Sequence, residues 1–135
     1  MIDQLNGIVI KKDIAYAVIM VGGVGYKINM SINGIQSLPD INKDVQIHTH
    51  LHVREDLLDL YGFIDMKERE AFFLLNSISG IGPKLALTIL SGIEPEMLKE
   101  RIVSGDVAAL TNIPGVGAKT AKRIIVELKE KFTKL

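Results

Sequence analysis

Two short glycine-bounded segments carry the clearest chemical potential in this 135-residue chain. Ile78-Ser79-Gly80-Ile81-Gly82-Pro83-Lys84-Leu85-Ala86 recurs as Ile113-Pro114-Gly115-Val116-Gly117-Ala118-Lys119-Thr120-Ala121. Apolar residue, Gly, apolar residue, Gly, Lys and Ala fall at identical offsets, and Ile89 matches Ile124 beyond them. Two glycines around one apolar residue let the backbone turn tightly while the apolar side chain anchors the turn in a core. The N–H groups that open the next helix then face an anion. Lys84 and Lys119, two positions after the second glycine, add a charge for the same anion. Backbone amides and point charges read phosphate rather than base, so the implied chemistry is sequence-independent binding of a nucleic-acid backbone. Ligand-free helical hairpins ending in glycine are the alternative. The full pattern in two copies, each with its lysine, argues against it.

Other constellations carry less. Gly117-Ala118-Lys119-Thr120 has the end of a phosphate-binding P-loop, but Ala118 stands where that motif needs glycine directly before the lysine, so an ATPase is rejected. His48, His50 and His52 project from one face of a single strand; alternate histidines can share a metal. With Gln46 and Arg54 continuing the row and no carboxylate ligand evident, a polar outer strand face is the preferred expectation, and no metal or other cofactor is expected. Gly22-Gly23-Val24-Gly25 reads as a hairpin turn rather than a nucleotide loop. Glu55-Asp56 could hold Mg²⁺ for a nuclease, but adjacent acids at a hairpin tip point apart; taken alone they read as a solvated turn. No catalytic residue is expected.

The elements that must position these residues fall into two halves. Up to Ile64 the period is two: Val24, Tyr26, Ile28 and Met30 alternate with smaller or polar residues, as do Ile47, Thr49, Leu51 and Val53. Ile14 to Val21 is apolar on both faces. Strands are predicted at 2–10, 13–21, 24–30, 44–54 and 57–64, with a short helix between the third and fourth. Five strands with that break predict a small Greek-key barrel of the OB type. From Asp65 the period becomes helical. Asp65 and Glu68 suggest a capping box, and Phe72, Phe73, Leu75 and Asn76 an apolar stripe with a polar flank. Pro83, Pro95 and Ala118 stand just inside helix starts, Ser104 and Asp106 look like caps for a short helix through Leu110, and the last helix covers about 118–132. The predicted fold class is therefore α+β: an OB-type barrel over 1–64 followed by an all-α tandem helix-hairpin-helix domain over 65–135. No low-complexity linker separates the halves, so they are expected to pack together.

The glycine-bounded repeat resembles the helix-hairpin-helix motif, and the chain as a whole resembles the RuvA family. The resemblance is carried by Gly22-Gly23-Val24-Gly25-Tyr26, by Arg54-Glu55-Asp56 leading to Leu60-Tyr61-Gly62-Phe63, by Gly80 to Ala86, and by Leu110 to Leu128 containing Pro114-Gly115-Val116-Gly117. It implies a non-catalytic protein of bacterial recombination and repair that holds a four-way (Holliday) DNA junction open and square-planar as a homotetramer. It implies barrels at the centre, hairpins under the arms, and possible face-to-face pairing of tetramers, for which an apolar excess on the last helix is a candidate surface. Glu55 and Asp56 match the family's acidic pin at the crossover. Gly80, Gly82, Lys84, Gly115, Gly117, Lys119 and Arg123 match its phosphate-binding positions, with Lys122 as a basic neighbour and Arg54 poised to touch the backbone beside the pin. The implied partners are the hexameric ATPase RuvB and the resolvase RuvC. Relatives carry a linker and a small C-terminal helical domain that docks the ATPase, whereas this sequence stops at Leu135, so motor docking is not expected of these residues. Ala118 departs from relatives that carry Lys there, with Lys122 placed to compensate. A generic duplex-binding accessory module of a repair enzyme is the rival.

Composition fits these expectations. Hydrophobic residues make up 47% of the chain, enough for real cores, and there is no cysteine for disulfides, thiolate metal sites or nucleophilic catalysis. No apolar run is long enough to span a bilayer and the first residues lack a signal peptide's pattern, so a cytoplasmic protein without membrane partners is expected. The formal net charge of zero excludes an indiscriminate polycation. It hides a segregation: residues 1–64 hold five Lys/Arg against seven Asp/Glu, a net of −2, and the remainder is +2. Thr111 to Lys134 alone carries six basic residues against Glu127 and Glu130.

Overall fold

The structure is a computed structural model and describes residues 1–133. Lys134, counted above in the basic C-terminal stretch, and Leu135 lie outside the described residues. Contacts divide the chain into two compact units, Met1–Arg69 and Glu70–Leu135.

The first unit is a closed barrel of five strands, β1 (Gln4–Lys12), β2 (Tyr16–Val21), β3 (Val24–Asn29), β4 (Asp44–Arg54) and β5 (Leu57–Phe63), in the order β1-β2-β3-β5-β4. A short helix α1 (Ile32–Ser37) bridges β3 and β4, as predicted. All pairings are antiparallel except β3 with β5, which closes the barrel through Asn29 and Tyr61. Strand alternation puts Val9, Ala17, Ile19, Ile28, Met30, Ile47 and Leu60 inside, with Leu38 joining them. Each fully buried isoleucine contributes about 1.5–3 kcal/mol relative to exposure. The outer face of the predicted doubly apolar strand is less covered than expected. Val18 and Met20 are half-buried, and Ile14 lies before β2 and is exposed.

The two hairpin turns of the barrel differ. Gly22 and Gly23 both take left-handed φ values, +56° and +85°, between the paired Val21 and Val24. That is the primed turn whose twist matches the strands. Glu55-Asp56 closes an equally short connection between Arg54 and Leu57, but neither residue takes a positive φ. Carboxylates therefore stand where glycine would suit a tight hairpin better.

The helical part comprises α2 (Met66–Asn76), α3 (Pro83–Gly92), α4 (Pro95–Val103), α5 (Val107–Thr111) and α6 (Ala118–Thr133). Within the second unit, α4 and α5 pack on α6. Ala121, Ile124, Leu128 and Phe132 form the buried stripe of α6, at the spacing of one helix face. Ile125 is half-buried, and Val126 is 79% exposed.

Three local expectations are corrected. Asp65 does cap α2, accepting from Lys67 N at 2.9 Å, but Glu68 does not reach back to complete a capping box. Glu68 is buried and accepts a hydrogen bond from Ser31 Oγ at 3.0 Å, while Ser31 Oγ accepts from Gly34 N as the cap of α1. Burial pushes the Glu68 carboxyl above its ordinary value. Ser104 is not an N-cap: it ends α4, and Asp106 alone caps α5, accepting from Ala109 N at 3.0 Å. Phe73 is 39% exposed, so the stripe of α2 runs through Phe72 and Leu75 without it.

Candidate nucleic-acid interface

The two glycine-bounded turns adopt the same backbone, hydrogen bond for hydrogen bond. Ile78 N donates to Leu75 O and Ile113 N to Leu110 O, both at 3.1 Å. Ile81 N donates to Ile78 O and Val116 N to Ile113 O, both at 3.0 Å. Ala86 N reaches Gly82 O at 3.0 Å and Ala121 N reaches Gly117 O at 2.9 Å. Gly80 and Gly115 take φ +92° and +87°, a conformation that disfavours any side chain. Ile81 and Val116 are buried and anchor the turns.

Each turn delivers a helix start with no internal acceptor. The N-cap of α3 is Gly82, which makes no side-chain cap, and Pro83 at the first position has no N–H to satisfy. Gly117 precedes α6 in the same way. By contrast, α1 and α5 are capped from within by Ser31 and Asp106. The first-turn amides of α3 and α6 are therefore left to an external acceptor, where the helix dipole also favours an anion. α4 likewise lacks a side-chain cap, but Glu94 and Glu96 flank its start and repel anions. A Cβ at Gly82 or Gly117 would meet nothing within 4 Å, so a ligand can approach the backbone closely.

Lys84, Lys119, Lys122 and Arg123 are exposed, and no ion pair ties them to a carboxylate among the described residues. Arg123 extends from α6 to the other hairpin, its Nη1 lying 3.8 Å from where a Cβ on Gly80 would stand. The corresponding point on Gly115 is met by Leu85 at 3.3 Å and Thr88 at 3.8 Å. Thr88 and Arg123 occupy the same place in the repeat, as do Gly80 and Gly115. These reciprocal contacts describe an approximate two-fold axis between the hairpins, the arrangement in which i meets j and j meets i. The contact was missed from sequence, although the fixed offset of the repeat pairs Thr88 with Arg123.

Arg54, Glu55 and Asp56 stand together, all exposed, at the tip of the β4–β5 hairpin. No ion pair engages Glu55 or Asp56 among the described residues. Two free carboxylates repel phosphate at short range.

The histidine row is not the solvated strand face expected. His48, His50 and His52 are half-buried. His52 sits edge-on to Tyr61 with ring centroids 6.4 Å apart, and its Nε2 is buried without a partner. Burial, and then the neighbouring His52, hold His50 below the usual imidazole value. Among the described residues no three His, Cys, Asp or Glu side chains are grouped to hold a metal. No described helix is long and apolar enough to cross a membrane.

Comparison with known proteins places both segments. Residues 1–62 match the family model described as RuvA N terminal domain, and residues 72–130 match the SAM-like Helix-hairpin-helix tandem. A relative from Chloroherpeton thalassium is 52% identical over the whole chain, which covers 68% of that protein. Relatives from Pseudomonas syringae pv. syringae and Shewanella loihica are 46% and 44% identical, with the chain covering 65% and 66% of their lengths. All three are named Holliday junction branch migration complex subunit RuvA. The chain thus spans about two thirds of the curated relatives it matches.

Proposed function

Because the chain belongs to the RuvA family, we propose that it binds four-way DNA junctions by their structure, without chemistry of its own, and holds them open for branch migration. The observation that carries this is the duplicated hairpin: two identical turns, each with uncapped helix amides and an exposed lysine, related by an approximate two-fold. The two strands of a duplex arm are themselves related by two-folds, so Gly80, Gly82 and Lys84 hold a phosphate of one strand while Gly115, Gly117 and Lys119 hold one of the other. Arg123 adds charge at the first turn and Lys122 lies beside it on α6. Contacts of this kind fix position and leave base sequence unread.

The barrel supplies the opposite sign. Glu55 and Asp56 face the crossover, where their charge keeps the four backbones from closing on one another, and Arg54 touches a backbone beside them. One chain with one acidic tip and one pair of hairpins serves one arm, so four arms call for a homotetramer, and α6 with its exposed Val126 offers a face for pairing two tetramers. The energy for migration comes from the partner ATPase RuvB, and the resolvase RuvC acts on the same junction. Cytoplasmic localisation accords with these partners.

Fluorescence transfer between dyes on adjacent and opposite arms tests the proposal. Binding should make all adjacent-arm distances equal, as in an open square. Retention of the unequal distances of a stacked junction would overturn it.

A further inference from the structure

We propose that the uncovered apolar face of the β4–β5 hairpin, centred on Val53 and Leu58, packs against the base-pair faces exposed at the crossover of a four-way junction. This rests on the junction reading above and extends it from charge to bases. Along β4 the inward side chains emerge step by step: Ile47 and Thr49 are buried, Leu51 is half-buried and Val53 is 63% exposed. On β5, Leu60 is buried and Leu58 is 69% exposed. The register pairs Leu51 with Leu60 and Val53 with Leu58. The hairpin therefore runs past the barrel's core and turns the continuation of its interior face to solvent.

A pedestal for two carboxylates needs no such surface; polar strand residues would serve and would not leave two aliphatic side chains facing water side by side. Adjoining exposed apolar groups mark a contact, and the local charge selects the partner. Strands rise ~3.3 Å per residue, so Val53 lies roughly 7 Å behind Glu55. Glu55, Asp56 and Asp59 all belong to this short segment and exclude phosphate from it. What remains of DNA is the flat face of a base pair, apolar and uncharged. Where four helices meet, the innermost pairs have lost a stacking neighbour and present that face. Apolar side chains against opened base steps are an established means of holding DNA distorted. In this arrangement the acids keep the backbones apart and Val53 with Leu58 receives the bases that the separation exposes.

The test places 2-aminopurine beside the crossover of an immobile junction and follows its fluorescence on binding. The unsubstituted chain should raise the emission, and Val53→Ser with Leu58→Ser should cut that rise by at least about twofold at saturating protein, with circular dichroism little changed. A Leu58→Trp variant, at a position already open to solvent, gives a second readout: junction, and not duplex, should quench the indole. An undiminished 2-aminopurine rise in the serine variant, or an indole quenched equally by duplex, would overturn the inference while junction preference still stood. So would a change in the mass of the DNA-free assembly, which would make this face a contact with a second copy. If the unsubstituted chain showed no preference for junction over duplex, the function proposed above would fall first and this inference with it.

Discussion

The two hairpins share a backbone but not their surroundings, and the difference separates what the turn requires from what the ligand requires. Glycine at the left-handed position, the buried apolar anchor, the second glycine and the lysine are the same in both. Their neighbours differ. The turn at Gly80 faces the guanidinium end of Arg123, whereas the turn at Gly115 is packed by Leu85 and Thr88. The first turn is thus looser and more positive, the second tighter and less charged. Phosphate binding should lean on the first, and stability on the second.

The largest effect should come from what both copies share. Replacing Lys84 and Lys119 together with Ala should weaken junction binding on the order of 100-fold and reduce the salt slope by about two, as for two lost phosphate contacts. Titrations at several salt concentrations check this, and an unchanged slope would remove the lysines from the interface. Next come the left-handed glycines. Gly115→Ala should destabilise by about 1–3 kcal/mol, from the positive φ together with crowding against Leu85. Gly80→Ala should cost less, because its Cβ would meet only Arg123 Nη1, at an ordinary contact distance of 3.8 Å, which leaves the positive φ as the cost. Denaturant unfolding of the two variants ranks them, and the reverse order would mean that the second turn is not the more tightly packed. A smaller effect is expected of Thr88→Arg, which should give the second turn the charge that the first already has and tighten binding by about a few-fold. Equal affinity of the two proteins would mean that position 123 does not act through charge.

The smallest expected effect concerns the barrel. Glu68 is buried beside Ser31, and its carboxyl is pushed above the ordinary glutamate value of 4.5, first by desolvation. A raised folded-state pKa favours the protonated form, so its stabilisation is full below about 4.5 and is lost as pH rises through the raised value. Glu68→Gln should therefore match the parent at acid pH and become the more stable protein as pH rises to neutrality. Thermal unfolding across that range measures it, and a constant difference would contradict the assignment.

Much of this was legible beforehand because it rests on periodicity and on glycine. Alternation located β3 and β4, all five predicted strands lie within a few residues of those found, and Pro83, Pro95 and Ala118 marked three helix starts correctly. The repeat disclosed both turns because only glycine takes φ near +90° without penalty. What failed depended on partners distant in sequence. Glu68 has the right spacing from Asp65 for a capping box, but Ser31, 37 residues away, claims its carboxylate. His48, His50 and His52 have the alternation of a solvated strand face, but nothing local shows that this face is half-covered. Ser104 and Asp106 are both good caps by composition, and only the path of the chain decides that one closes α4 while the other opens α5.

On the proposed function, this chain recognises the shape of a junction and not merely its phosphates. Competition gel shift tests it most directly, with labelled four-way junction challenged by unlabelled duplex of the same arm sequence at moderate salt. The complex should survive a large excess of duplex and yield to unlabelled junction. Equal competition by the two would contradict it and leave a general duplex-binding module.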